Sequence, residues 1–373
     1  MKYFCYFDYN GKTYHQRSNP PAGATKLFYI AKCLSEIEPT EIVSASGVIG
    51  KKSDKARIET VSDNLSIRYF FSLGRKSQII GKIGTFLLHL QLFLYLFFNV
   101  SKEEKILVYH SLGYMKIIHL AKKIKKFKMI LEIEEIYADV IGNNKVREKE
   151  LSFFECADGF LFPTKMLSDV INSEGKPEII IHGTYKVEPE KEKIFSDDKI
   201  HIVYAGTLDP RKGGISAVKA AEYLPSNYHI HIIGFGSKQD INNIKRCIDE
   251  ISKRSKAMVT YDGLLSGEEY IKYIQSCDIG LSPQDPTASF NATSFPSKIL
   301  SYLSNGLSVV SIRIPTIEQS AIGKELYYFD VQTPQEIASA IISVDLNAEH
   351  KGREIINRLN DDFKNEISKL LED

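Results

Sequence analysis

Two successive stretches in which short apolar runs alternate with helical periodicities, separated by a charged break, constrain this chain more than any other feature. In the first stretch Tyr3–Phe7, Glu41–Ala45, Ile67–Ser72, Ile106–His110, Met129–Glu134 and Gly159–Phe162 read as strands, with helical patterns over Leu27–Ile37, Met115–Lys126 and Glu148–Ala157. In the second, His201–Ala205, His229–Ile233, Met258–Tyr261, Ile279–Ser282 and Ser308–Ile312 read as strands. Helices fall between them over Gly214–Tyr223, Gln239–Ser255, Gly267–Ser276 and Pro296–Ser304. Such alternation predicts α/β architecture, a parallel sheet covered by helices on both faces. The break lies between Lys186 and Lys199, where Val187-Glu188-Pro189-Glu190-Lys191-Glu192-Lys193 and Asp197-Asp198-Lys199 are charged and poor in core residues. A chain of 373 residues suffices for two such domains. The expected organisation is an N-terminal Rossmann-like domain over 1–190, a C-terminal one over 191–345, and a helix over 346–373 packing back on the first. Two doubly wound domains facing across a cleft would place ligands beyond the carboxyl ends of their strands.

Composition narrows the function. Lys plus Arg number 48 against 47 Asp plus Glu, so the net charge of +1 gives no global case for a nucleic-acid partner. Cys5, Cys33, Cys156, Cys247 and Cys277 are odd in number and scattered, which reads as free thiols in a reducing, cytoplasmic compartment. Met1–Phe7 reads as a first strand rather than a leader. From Ile83 to Phe98 the chain is nearly all apolar. Three readings are open: a buried core helix, which comes first, a helix lying on a membrane surface, and a spanning helix. Lys122, Lys123, Lys125, Lys126 and Lys128 crowd the following segment, either as a solvated face or as an attractor of anionic lipid or an acceptor diphosphate. The two features together favour a cytosolic enzyme docked peripherally on the inner face of a membrane.

The chemistry concentrates in the second stretch. Strand His201–Ala205 runs into Gly206, and His229–Ile233 into Gly234-Phe235-Gly236. Glycine at these strand ends lets a ligand approach the backbone. Lys212 follows Gly206, ahead of Gly213-Gly214 and a helix, as a diphosphate clamp would be placed. An ordinary strand-turn-helix with a surface lysine would look the same. Ser294-Phe295-Pro296-Ser297-Lys298-Ile299-Leu300 reads as another helix start, with proline in the first turn and hydroxyls near the cap. Two lysines, two helix starts and bare backbone suit an anion held without metal.

At these residues the chain resembles family 4 of the retaining glycosyltransferases. Ala205-Gly206-Thr207-Leu208-Asp209-Pro210-Arg211-Lys212-Gly213-Gly214 is similar to the opening of that family's nucleotide-sugar domain, and Ile232-Ile233-Gly234-Phe235-Gly236-Ser237 to its glycine turn. Val259-Thr260-Tyr261-Asp262-Gly263-Leu264-Leu265 resembles the strand and loop that receive the base. Phe295-Pro296-Ser297-Lys298-Ile299-Leu300-Ser301-Tyr302-Leu303-Ser304-Asn305-Gly306 resembles the signature helix.

The resemblance implies the GT-B fold and a metal-independent hexosyltransferase of bacterial polysaccharide assembly. Its donor would be a UDP- or GDP-linked sugar in the C-terminal domain, transferred with retention to a glycan or lipid-linked acceptor on the N-terminal domain. No separate cofactor is implied. Lys212 and Lys298 would stabilise the leaving diphosphate, with Gly206, Thr207, Arg211, Gly234, Gly236, Leu265, Ser297 and Ser301 around the donor. On the acceptor side His110 ends a strand, where a core histidine is as natural as a functional one. Among Glu132, Glu134 and Glu135, Glu134 is chosen for a sugar-hydroxyl contact. Asn19-Pro20-Pro21-Ala22-Gly23-Ala24-Thr25 resembles the loop that closes over the donor, with Gly23 as its flexible point.

The departures are Thr207 where the family often has arginine, Ser301 where it has a ribose-binding glutamate, and Thr293 where it has that residue's partner. A serine lacks the bidentate acceptance of a carboxylate. The chain has no Asp-x-Asp triplet and no HExxH or CxxC spacing, so no metal is expected. A degenerate GT-B binding protein and a sugar-nucleotide 2-epimerase stand as the alternatives.

Overall fold

The computed structural model describes residues 1–9, 17–19 and 21–372. The chain divides into a first unit, residues 1–184 with 362–373, and a second, residues 185–361. The division falls at Thr184/Tyr185 rather than at 190/191, because the charged segment is fastened to the second unit. Lys191 N donates to Gln275 Oε1 at 2.7 Å, Gln275 Nε2 to Pro189 O at 3.0 Å, and Ile194 N to Ser276 Oγ at 2.9 Å.

The first unit runs β1 (Lys2–Cys5), α1 (Pro21–Ile37), β2 (Thr40–Ser44), β3 (Arg57–Ser62), β4 (Leu65–Tyr69), α2 (Gln78–Asn99), β5 (Lys105–Tyr109), α3 (Met115–Lys125), β6 (Lys128–Glu132), α4 (Tyr137–Ile141), α5 (Asn144–Phe154), β7 (Gly159–Phe162), α6 (Lys165–Ile171) and β8 (Glu178–Ile180). Among the described residues its strands form one sheet in the order β3-β4-β2-β1-β5-β6-β7-β8, parallel except for β3. Phe4, Val43, Val108, Leu131 and Phe160 are buried on one face and Tyr3, Ile42, Leu107 and Ile130 on the other, which shows why the strands read as apolar runs: both faces are covered. Strand β3 carries no such run. It is an edge strand that pairs antiparallel with β4, and its residues alternate between half-buried and exposed.

The preferred reading of Ile83–Phe98 needs correction. Helix α2 buries one face, through Leu88, Leu92, Tyr95 and Leu96. Ile79, Ile83, Phe86, Leu90, Leu94 and Phe98 form an exposed apolar stripe on the other. By length and composition α2 passes for a membrane span, and only 28% of its most apolar window is buried, unlike a core helix.

The second unit runs β9 (Ile200–Thr207), α7 (Gly214–Ala220), β10 (Tyr228–Phe235), α8 (Lys238–Ile251), β11 (Met258–Gly263), α9 (Gly267–Gln275), β12 (Ile279–Ser282), α10 (Lys298–Ser304), β13 (Ser308–Ile312), α11 (Pro315–Glu318), β14 (Tyr327–Phe329), α12 (Pro334–Ile342) and α13 (Gly352–Glu372). Its parallel sheet has the order β11-β10-β9-β12-β13-β14. This is the doubly wound dinucleotide-binding order, whose ligand crevice opens where the winding reverses, between β9 and β12. The last turns of α13 group with the first unit. There Phe363 stacks on Tyr29 at 5.8 Å, Lys364 pairs with Glu36 at 2.7 Å, and Lys105 Nζ donates to Leu371 O at 2.5 Å.

Candidate functional site

The crevice between β9 and β12 is built by close backbone packing. Gly206 and Gly234 are paired at the ends of β9 and β10. A Cβ on Gly234, whose φ is +142°, would fall 1.8 Å from Gly206 O, so only glycine fits. Past β9, Gly213 adopts φ +83°, and a Cβ there would meet Pro283 O at 1.8 Å. This close approach lays the turn Pro210–Lys212 against the end of β12, where Asp285 N donates to Arg211 O at 2.9 Å. Tyr302 locks the other side. Its hydroxyl accepts from Ala205 N at 2.8 Å and donates to Leu281 O at 3.3 Å, bridging β9 and β12.

Lys298 opens α10 and reaches into this crevice. Part of its stem is exposed, but Nζ is sealed from solvent, 3.9 Å from the centre of the Tyr204 ring, with no hydrogen-bond partner among the described residues. Its Nζ would lie 3.4 Å from a Cβ on Gly206. Burial, and after it the charge of Lys212, lower the Lys298 ammonium to about 7. The structure therefore brings Lys212 and Lys298 into one electrostatic neighbourhood beside the glycine-lined ends of β9 and β10. An ammonium buried without an acceptor is costly unless an anion joins it.

The remaining donor-side residues divide. Thr207 O accepts from the Tyr204 hydroxyl at 2.6 Å. Arg211 turns its guanidinium onto Asp209 at 2.7 Å and is exposed. Gly236 precedes α8, where a Cβ would crowd Leu208 and Asp240 at 3.0 Å. The start of α8 is satisfied from within by a Ser237–Asp240 capping box, so its glycine serves packing. Ser297 is exposed and, contrary to the cap expected of its hydroxyl, makes no side-chain cap bond; Pro296 precedes the helix instead of lying in its first turn. Ser301 Oγ lies 3.0 Å from the hydroxyl of half-buried Tyr270. Leu265 is half-buried beyond the end of β11. Sequence reasoning missed Tyr204, Tyr270 and Tyr302. Tyr302 alone had a signal, since it lies four residues after Lys298 on the same helix.

In the first unit His110, Glu132 and Glu134 at the carboxyl edge each have a protein partner, while His110 Nδ1 and Glu132 Oε1 are buried without one among the described residues. His110 is buried, with Nε2 2.6 Å from Glu150 Oε1, and Glu150 also accepts from Tyr137 N at 2.8 Å and Ala138 N at 2.9 Å. Glu134, just past β6, pairs with Lys26 of α1. Glu132 is fully buried against the Tyr3 hydroxyl, and burial raises its carboxyl well above the usual range, partly offset by Lys26. Gly23 is corrected: it lies in the first turn of α1, because the helix begins at Pro21, a residue well suited to a first turn. Pro20 of the same segment lies outside the described residues.

A doubly wound second unit with a buried lysine at its switch point, in a chain whose first unit is a mostly parallel α/β sheet, defines the class as the GT-B fold. Comparison with known proteins gives the particular kind. Residues 199–345 match the family described as glycosyl transferases group 1. No curated protein sequence matches the chain. Similar solved structures include α,α-trehalose 6-phosphate synthase from Burkholderia multivorans, at 12% identity and TM-score 0.67 over 100% of this chain and 95% of that one. A UDP-forming α,α-trehalose-phosphate synthase from Burkholderia xenovorans, in complex with glucose-6-phosphate, matches at 10% identity and TM-score 0.67, covering 100% and 99%. Anabaena HepE, in complex with UDP and glucose, matches at 11% identity and TM-score 0.67, also covering 100% and 99%. The chain is a glycosyltransferase, and its second unit carries the group 1 domain.

Proposed function

We propose that the protein transfers a hexose-type sugar from a UDP-linked donor, with retention and without metal, to a glycan or lipid-linked acceptor in polysaccharide assembly at the cytoplasmic face of a membrane. The observation that carries the donor half is the buried Lys298 ammonium beneath Gly206, with Lys212 beside it. A diphosphate would supply the missing acceptor oxygens, and its growing charge on departure would be stabilised by both lysines. The leaving phosphate is the base that takes the acceptor's proton. UDP is preferred over GDP because HepE was solved with UDP and glucose. Glucose-6-phosphate in the Burkholderia xenovorans structure supports a saccharide acceptor held by the first unit.

The membrane half rests on α2. Its apolar stripe faces away from the core, and Leu120 and Ile124 of the neighbouring α3 are exposed as well. Lys125 sits 5.2 Å from the Phe97 ring, and Lys123 and Lys126 are exposed nearby, so the rim suits anionic headgroups. Lys122 does not contribute, being paired with Asp158 at 2.5 Å. Because Leu88, Leu92 and Leu96 are committed to the core, α2 lies along the surface.

Calorimetry with UDP and GDP tests the donor reading. Saturable UDP binding by the wild type, lost in Lys298→Met while the melting curve persists, supports it. Equal UDP binding by both proteins sinks it.

A further inference from the structure

At the opposite, amino edge of the second sheet, three imidazoles crowd one face. His229 and His231 share a face of β10 by the two-residue strand period, and His201 lies directly across from His229 in β9. One ring nitrogen from each lies within 4.8 Å of the others. His201 and His231 are buried and His229 is half-buried. Phe195, from the charged segment, stacks on His201 at 4.1 Å and on His231 at 4.8 Å. His201 precedes Gly206 by five residues, on the order of 16 Å at ~3.3 Å per residue, so this cluster stands apart from the donor crevice.

The hydrogen-bond partners assign the ring protons. Asp197 Oδ1 lies 2.7 Å from His201 Nε2, and Asp262 Oδ2 lies 3.0 Å from His231 Nδ1. A carboxylate only accepts, so both of these outer nitrogens carry protons. The Thr260 and Tyr273 hydroxyls donate to Asp262, at 2.9 and 2.7 Å, so the Tyr273 oxygen, 2.7 Å from His231 Nδ1, accepts from that nitrogen as well. Asp262 follows Thr260, the register partner of His231, by the two-residue strand period, and the pairing of β10 with β11 shifts at it, between Ile232 and Ile233. The inner nitrogens, His201 Nδ1 and His231 Nε2, then face each other at 2.9 Å with a lone pair on each. That contact needs an electrophile. His229 adds a third bare nitrogen, because its Nε2 donates to Thr260 Oγ1 at 3.0 Å and leaves Nδ1 unprotonated. A shared proton would use only two of the three rings. Neutral imidazoles whose far N–H groups are oriented by carboxylates are the usual ligands of zinc-type ions.

We propose that His201, His229 and His231 bind one divalent transition-metal ion of the zinc type, with Asp197 and Asp262 orienting two of the rings. The ion fastens the segment carrying Phe195 and Asp197 to the amino edge of the sheet. It takes no part in sugar transfer.

The test uses untagged full-length protein stripped with EDTA. Titration with Zn²⁺ is expected to show one site per chain and a raised melting temperature, and Co²⁺ to give the visible absorption of a low-coordinate nitrogen site. His229→Ala abolishes the stoichiometric uptake. Asp197→Asn weakens it by about 10–100-fold, as loss of an orienting carboxylate does. UDP binding by the stripped wild type stays unchanged, which separates this proposal from the donor reading. Absence of saturable uptake by folded wild type overturns the proposal whatever the variants do. Nitrogen NMR showing the His231 proton on Nε2, or one proton shared between His201 and His231 in the presence of Zn²⁺, overturns it equally.

Discussion

The two units share an architecture and differ in how the carboxyl edge of each sheet is prepared. In the first, His110 is held by Glu150, Glu134 by Lys26 and Glu132 by Tyr3, so that each has at least one protein partner even though His110 Nδ1 and Glu132 Oε1 are buried without one among the described residues. In the second, Lys298 Nζ lies buried over an aromatic face with no acceptor among the described residues. A fold can therefore supply partners at the carboxyl edge of one sheet and leave an amine without an acceptor at the other. The first arrangement offsets much of the cost of burial with internal partners, and the second leaves that cost standing until an acceptor is supplied.

Removing a partner in the first unit has the largest expected effect. Glu150→Ala strands His110 and two backbone N–H groups, and should lower unfolding free energy by about 3–5 kcal/mol, read by urea denaturation. Preserved stability would show that the first unit is not held by this pair. Lys298→Met should behave in the opposite way. Turnover falls by about 10²–10³-fold, while the melting temperature holds or rises because a buried charge becomes apolar. A stability loss without an activity loss would reverse the comparison.

The pH dependence sharpens it further. Lys298 is lowered to about 7 from 10.5. Its penalty on the unliganded fold is absent above the unfolded value and grows as pH falls toward 7, where it levels off. A bound diphosphate raises the lysine again, so binding takes up a proton. UDP affinity should fall as pH rises from about 7 toward 10, by at most about tenfold per unit. Calorimetry in buffers of different ionisation enthalpy would show that uptake at pH 8, and its absence in Lys298→Met. The smallest effect is on the first unit's surface. Phe98→Glu should reduce sedimentation with anionic vesicles by about tenfold, the scale of one buried aromatic, with UDP binding unaffected. Equal sedimentation would remove α2 from the membrane reading.

Much of this was legible in the residues because it is local. A strand buried on both faces must be apolar along its length, so the central strands of both sheets announced themselves, whereas β3, β8 and β14 are short or polar edge strands with little to bury. Glycine before a turn is equally local, which is why Gly206, Gly213 and Gly234 stood out. Gly23 shows the limit: a glycine followed by good helix formers was absorbed into α1.

What the sequence determined by itself was the order of the elements and the residue types at each turn, since these depend on periodicity and backbone preference over a few positions. What only tertiary structure decided was which side chains lost their water and which found partners. Lys298 and Gly206 are far apart in sequence, as are Glu150 and His110, and no pattern along the chain states that one lysine is sealed without an acceptor while one glutamate gains three donors. Desolvation is set by everything packed around an atom, and here that packing follows the winding of the sheets.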